Sequence, residues 1–265
     1  MTERYAEIDG VIAYIHQNLH EPLTLAEMAA YAGYSPYHFS RIFKERVGLP
    51  PLYYVSALRL QKAKDLLLHT NLSVRDIGME IGQQSLGTFT TRFTEKVGVT
   101  PAIFRNSTSQ VDEYVRMLQG LSRWSVARPG MHEYPSVEGT VQAETPFQGI
   151  VLIGLFAKPI PEGLPLYGTL LPSVGPFCFK GVKPGIYYLL ATSVSWRMQT
   201  VDVLLPHSTL RFRQKEPIVV RPDTPVPPLH VMLRKPRLDD PPILISLPVL
   251  MNRFLHSMQN SQIVY

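Results

Sequence analysis

A ten-residue stretch, FSRIFKERVG at residues 39–48, returns fifty residues later as FTTRFTEKVG at residues 89–98. Extended backward, the two copies read LTLAEMAAYAGYSPYHFSRIFKERVGLPP and LSVRDIGMEIGQQSLGTFTTRFTEKVGVTP. Leu23 pairs with Leu72, Met28 with Ile77 and Gly33 with Gly82 at an offset of 49, whereas Phe39 with Phe89, Gly48 with Gly98 and Pro51 with Pro101 sit at 50. A helix interior cannot absorb one added residue without rotating its apolar face by about 100°. The insertion therefore belongs to a turn, and the chain reads as two helix-turn-helix units with turns of unequal length.

Each unit predicts two helices. In the first, Leu25, Met28, Ala29 and Ala32 fall at helical spacing behind Thr24, an N-cap that Glu27 completes into a capping box; Ser73 and Asp76 repeat that start. Gly33 and Gly82 end these helices where the chain must turn left-handed, and the small Ala29 and Gly78 allow a close helix crossing. After the turn, Phe39, Phe43 and Val47 form one apolar face, as do Phe89, Phe93 and Val97, before Gly48 and Gly98 close the helices. The other face of the first unit carries Tyr37, Ser40, Arg41 and Lys44, chemistry suited to a DNA major groove: arginine bridges guanine O6 and N7, while lysine and serine reach phosphates. Taken alone, those side chains also fit an ordinary solvated face. The duplicated scaffold favours the groove. Between the units, PLYYVSALRLQKAKDLLLHT carries a helical stripe of Val55, Leu58, Ala63, Leu66 and Leu67. A rod of about seventeen residues spans roughly 25 Å, enough to hold two reading helices in successive major grooves about 34 Å apart.

These residues resemble the AraC/XylS family of bacterial transcription regulators, through FSRIFKERVGLPPLYYV, RLQKAKDLLLHTNLSVRDIG and FTTRFTEKVGVTPAIFR in that order and spacing. The resemblance covers roughly residues 5–105. It implies a seven-helix DNA-binding domain, sequence-specific promoter binding to double-stranded DNA, and activation through contact with RNA polymerase. Base-contacting places map to Tyr37, Ser40 and Arg41 in the first unit and to Leu86, Gly87, Thr90 and Thr91 in the second. The second unit departs from the family pattern: Gln83 stands where an aromatic usually follows Gly82, and Thr91 stands where the first unit has Arg41, with Arg92 one step aside. The first helix is thus expected to discriminate sequence, and the second to position the protein by phosphate contact through Thr90, Thr91, Thr94 and Lys96. With Lys44 and Ser85 added, these residues form the candidate DNA-contacting set. Many family members place the sensor first; here the DNA-binding half leads, so no sensor identity can be borrowed.

Proline usage divides the chain, with five of 24 prolines in residues 1–128 and nineteen after. Past Arg128-Pro129-Gly130 come short β-rich runs: VEGTVQA, GIVLIGLFA, PFCFKGV, GIYYLLATSV, QTVDVLLP, STLRFR, PIVV and PLHVMLR, read as seven or eight strands of an antiparallel sandwich or barrel. Gly175, Phe177, Phe179, Val182, Gly185 and Tyr187 resemble the core hairpin pattern of carboxypeptidase-regulatory, transthyretin-like β-sandwiches, which implies a fold and no ligand. The tail DDPPILISLPVLMNRFLHSMQ predicts a helix with Asp240 as N-cap and Pro241 at its first position. The expected architecture is α then β: a double helix-turn-helix domain over 1–108, a connecting helix and linker over 109–131, and an antiparallel β-sandwich with a C-terminal helix over 132–265.

Other chemistry is sparse. The formal charge of +5 splits evenly, with 14 Lys+Arg against 12 Asp+Glu in residues 1–128 and 12 against 9 in the rest, so any DNA argument rests on where cations point. Cys178 is the single cysteine, which excludes an internal disulfide and fits a reducing, cytoplasmic compartment. It alternates with Phe177 and Phe179 and reads as a half-buried structural thiol, with a redox sensor as the alternative. No secretion signal or membrane span is visible. No nucleophile elbow, Walker loop, dinucleotide fingerprint or HExxH motif occurs, so no enzyme and no cofactor is expected. His132 and Glu133, or His207 and His230, lack further ligands at metal spacing. Trp124, Trp196, Tyr187 and Tyr188 are core aromatics or pocket lining. The C-terminal half is left as a small-molecule sensor, a homodimer contact or a protein-docking module.

Overall fold

The computed structural model describes residues 5–83, 85–121, 124, 134–222 and 224–262. They divide into two compact units: the first comprises Met1–Arg105 and Arg237–Leu244, the second Asn106–Pro236 and Ile245–Tyr265.

Unit 1 contains α1 (Ala6–Gln17), α2 (Leu25–Tyr31), α3 (Pro36–Val47), α4 (Pro51–His69), α5 (Val74–Glu80), α6 (Leu86–Val97) and α7 (Pro101–Arg105). The capping box of α2 forms as its sequence dictates: the Thr24 hydroxyl accepts from the Glu27 amide, and the Glu27 carboxylate accepts from the Thr24 amide at 2.8 Å. That bond to the Thr24 backbone, with a second to its hydroxyl, lowers the Glu27 pKa. Ser73 caps α5 through the Asp76 amide. Helices α3 and α6 begin behind Ser35 and Ser85, whose hydroxyls accept from the third residue on. Gly33 and Gly82 precede those caps by two and three residues and take φ of 71° and 76°. The extra residue thus sits in the second turn. Gly48 and Gly98 close the helices at φ 82° and 89°, a region open to glycine and strained for side chains. Ile8, Ile12, Met28, Tyr54 and Phe104, all fully buried, join the two phenylalanine stripes in the core.

The segment Arg237–Leu244 belongs to this unit as a non-helical strap. It differs from the helix predicted from Asp240 onward. Pro241 and Pro242 cannot donate to a helical ladder, and the residue before each is pushed toward extended backbone. The Asp240 carboxylate accepts instead from the Arg237 amide at 2.8 Å. The Lys64 ammonium on α4, 1% exposed, donates to the carbonyls of Ile243 at 3.1 Å and Leu244 at 3.3 Å and lies 5.4 Å from the centre of the Phe104 ring. Burial lowers its pKa from 10.5 to about 7, against the smaller opposing pull of Asp65.

Unit 2 holds β1 (Val137–Ala143), β2 (Gly149–Phe156), β3 (Tyr167–Leu171), β4 (Gly175–Phe179), β5 (Gly185–Ser195), β6 (Arg211–Arg213), β7 (Ile218–Val220) and β8 (Leu229–Leu233), with α8 (Thr108–Gln119), α9 (Thr200–Leu204) and α10 (Leu247–Gln262). One sheet runs β4-β1-β8; the other runs β3-β2-β5-β6, with β7 also on β5. Val141, Ile153, Phe177, Phe179, Leu189 and Val231 contribute to a single core drawn from both sheets. The all-antiparallel expectation fails at one pair, because β1 and β8 run parallel. The remaining strands lie between them in sequence, so no hairpin forces the return direction.

Three further readings change. The run QTVDVLLP, expected as a strand, forms α9: Val201, Val203 and Leu205 alternate, but five residues are too few for periodicity to decide. Strand β3, YGTLL, was not anticipated. Helix α8, expected as a connector, packs with α9 and α10 in unit 2, where the Thr200 hydroxyl donates to the Asp112 carboxylate. Pro248 is no obstacle to α10, since it lies in the first turn, where no intrahelical donor is required.

Substituting Gly98→Ala should lower unfolding free energy by about 1–2 kcal/mol, measured by urea denaturation. Lys64 makes a second expectation. The unfolded chain holds its proton up to 10.5, while the folded chain releases it near about 7, so folding gains stability as pH rises between those values. The wild-type chain should gain Tm relative to Lys64→Met over that window; parallel Tm curves would contradict the assignment.

Candidate nucleic-acid interface

On α3, full burial of Phe39, Phe43 and Val47 fixes the rotation of the helix. At about 100° per residue, Tyr37, Arg41 and Lys44 are carried to the other side, where all three are exposed and Tyr37 reaches 84%. Ser40 lies half-buried at the edge of that face. Arg41 approaches Glu45 at 4.0 Å across one helical turn, a solvated ion pair of little strength that a phosphate or base can replace. A phenol, a guanidinium and an ammonium thus share one outward face.

The equivalent face of α6 is less cationic. Phe89, Phe93 and Val97 are fully buried, Ser85, Leu86, Gly87 and Thr91 are exposed, and Thr90 is half-buried. The Thr94 hydroxyl is turned back onto the Thr90 carbonyl at 2.7 Å. Lys96 is seven residues beyond Phe89, close to a whole number of turns, and so shares the apolar side. Its ammonium donates to the Tyr53 hydroxyl at 2.7 Å and lies 4.5 Å from the centre of that ring. Lys96 is therefore held against α4, unlike the exposed Lys44.

Arg46 occupies the same repeat position as Lys96 and was missed as a site residue. Its guanidinium donates to both carboxylate oxygens of Asp9, at 3.0 and 3.3 Å, and to Asp239 at 2.6 Å. Its spacing of seven from Phe39 was the available signal that it faces the domain.

The turns differ too. In the first, the Tyr34 ring packs edgewise on His38 with centroids 4.9 Å apart. In the second, the Gln83 side-chain amide oxygen Oε1 accepts from Arg92 at 3.4 Å, so Arg92 reaches into the turn. A depression of about 480 Å³ opens beside it, lined by Arg75, Gly78, Met79, Gly82, Gln83 and Leu86.

A helix-turn-helix domain family model matches residues 28–107. The HTH-type transcriptional activator AarP of Providencia stuartii is 33% identical over 100 residues, which cover 38% of this chain and 74% of AarP. The chain belongs to the AraC/XylS family. A second relative is the bifunctional transcriptional activator and DNA repair enzyme AdaA of Bacillus subtilis, 36% identical over 107 residues, or 40% of this chain and 51% of AdaA. The chain spans about half of AdaA's length. A crystal structure of a transcriptional regulator with an AraC-type DNA-binding domain from Chromobacterium violaceum aligns at 30% identity and a TM-score of 0.37, covering 38% of this chain and 90% of that one.

Phe177 and Phe179 are buried and Cys178 between them is exposed, its thiol pKa raised by desolvation and by Glu138. Tyr187 is buried, Tyr188 and Trp196 are half-buried, and the Trp124 ring lies 5.8 Å from that of Phe254. His207 and His230 are exposed; among the described residues no three His, Cys, Asp or Glu side chains group as a metal site. His132 and Glu133 lie outside the described residues. No described helix is long and apolar enough to cross a membrane.

The contrast between the two lysines is testable. Lys96→Ala should cost roughly 0.5–1 kcal/mol of stability through its lost ring contact, whereas Lys44→Ala should leave Tm unchanged; equal effects in thermal melts would contradict their different placement.

Proposed function

We propose that the chain is a sequence-specific DNA-binding transcriptional regulator of the bacterial cytoplasm, reading two adjacent major-groove segments with α3 and α6. The observation that carries this is the exposed Tyr37, Arg41 and Lys44 face set against a fully buried Phe39, Phe43 and Val47 stripe, on a scaffold that the chain repeats. The nineteen residues of α4 give a rod of about 28 Å, near the groove repeat of about 34 Å. Arg41 supplies base readout, and α6, with its hydroxyls, positions the protein on phosphates. The activator name of AarP supports activation, with RNA polymerase as the partner, and the many regulators among relatives support a binding role over catalysis.

Unit 2, read as a transthyretin-like sandwich, modulates that activity through a small-molecule effector or by self-association. A second reading makes it a protein-docking module without sensing. Ile186 and Val219, cross-strand neighbours on β5 and β7 that are 60% and 51% exposed, favour a docking role.

In-vitro selection of bound duplexes, followed by sequencing, should return a bipartite site with half-elements about one helical turn apart. Arg41→Ala should relax base preference in one half by about 1–3 kcal/mol, and Thr91→Ala should relax it less. The reverse ranking would transfer base readout to α6, and a single contiguous element would remove the two-reader geometry.

A further inference from the structure

The strap Arg237–Leu244 makes three separate attachments to the elements that carry and follow the first reading helix. At the C-terminal end of α3, Arg46 is shared between Asp9 on α1 and Asp239 on the strap. Asp239 is 5% exposed, and a carboxylate so deeply placed is tolerated because that guanidinium neutralises it. Near the start of α4, the Tyr54 hydroxyl donates to the Leu238 carbonyl at 3.1 Å and shares a hydrogen bond with His16. Ten residues further along α4, Lys64 donates to the carbonyls of Ile243 and Leu244. The strap is fastened at two points about 15 Å apart on the connecting helix and at one on the reading helix itself.

Two features decide what such a strap does. With it docked, Tyr37, Arg41 and Lys44 remain exposed, so it does not act as a lid over the reading face. Its two ends continue directly into unit 2, at Pro236 and Ile245. Pro241 and Pro242 limit the conformations it samples when released, which lowers the entropic cost of docking.

We infer that the strap is a brace for DNA reading: Asp239 is a positioning residue that holds α3 through Arg46, and unit 2 alters DNA affinity by tightening or releasing this segment. The inference rests on the DNA-reading function proposed above. It names the route by which unit 2 reaches α3, a route that a flexible tether between the two units would not supply. The face of α6 receives none of the three attachments, so the brace acts on the half of the operator that Arg41 reads.

The test uses the full chain and two readouts. Without DNA, hydrogen exchange in Asp239→Asn should speed up in the strap and the last turn of α3. With the duplex recovered by selection, its affinity should fall at least roughly fivefold, the lower end of usual coupling between sites, with the loss confined to the half-element read by α3. Asp239→Glu should recover part of the affinity, and Leu166→Ala, exposed and outside the strap, should leave both readouts as in wild type. If Asp239→Asn fails to fold, Tyr54→Phe removes one attachment while keeping the buried ring, and should shift both readouts in the same direction. Faster strap exchange with affinity within twofold of wild type would overturn the brace, as would unchanged exchange in both variants. A wild-type chain that selects no duplex would overturn the regulator function itself, a failure separable from the other two because exchange is measured without DNA.

Discussion

Burial of two stripes, Phe39, Phe43 and Val47 on α3 and Phe89, Phe93 and Val97 on α6, is the constraint on which the DNA-reading unit depends. All six side chains are fully buried. Removing a buried phenylalanine costs about 3–5 kcal/mol, so neither helix can rotate without losing more than a surface contact could return. Once rotation is fixed, the helical period sorts the polar residues. Arg41 and Lys44 point outward, while Arg46 and Lys96, each seven residues past the first phenylalanine, turn toward the body of the domain. Four cations of similar composition therefore serve two different purposes.

The repeat conserves scaffold and not chemistry. Both units keep the serine cap, the left-handed glycines and the apolar stripe, because these set backbone path and packing. They differ in their outward faces and in their turns. Arg41 faces out in one and Thr91 in the other; Tyr34 packs on His38 in one turn, whereas Gln83 engages Arg92 in the other. The longer second turn accommodates that change without disturbing either helix.

Unit 1 is completed by residues from far along the chain. Lys64 and Asp239 are ionisable groups almost without solvent access, and hydrogen bonds between the strap and the helices satisfy both: Lys64 donates to strap carbonyls, and Asp239 accepts from Arg46. Buried charge without a partner is among the costliest defects a fold can carry. The docked strap thus supplies hydrogen-bond partners to buried ionisable groups of the helical unit.

The repeat, the unequal turns, the caps of α2 and α5, the terminal glycines and the outward face of α3 were all legible in the sequence, because each depends on contacts within a few residues or on helical period alone. Most strands of unit 2 were legible as short β-rich runs punctuated by proline and glycine. Those of ambiguous length were not: α9 resembled a strand over five residues, and β3 passed unnoticed. The inward turn of Lys96 and Arg46 followed from spacing but required knowing what lay across from them. Only the tertiary structure decided that β1 and β8 run parallel, that α8 joins unit 2, and that a proline-containing tail segment closes the helical unit. The reason is common to all three: the deciding partners are far away in sequence, Arg46 from Asp239 by 193 residues, and local pattern carries no record of which distant surface a segment will meet.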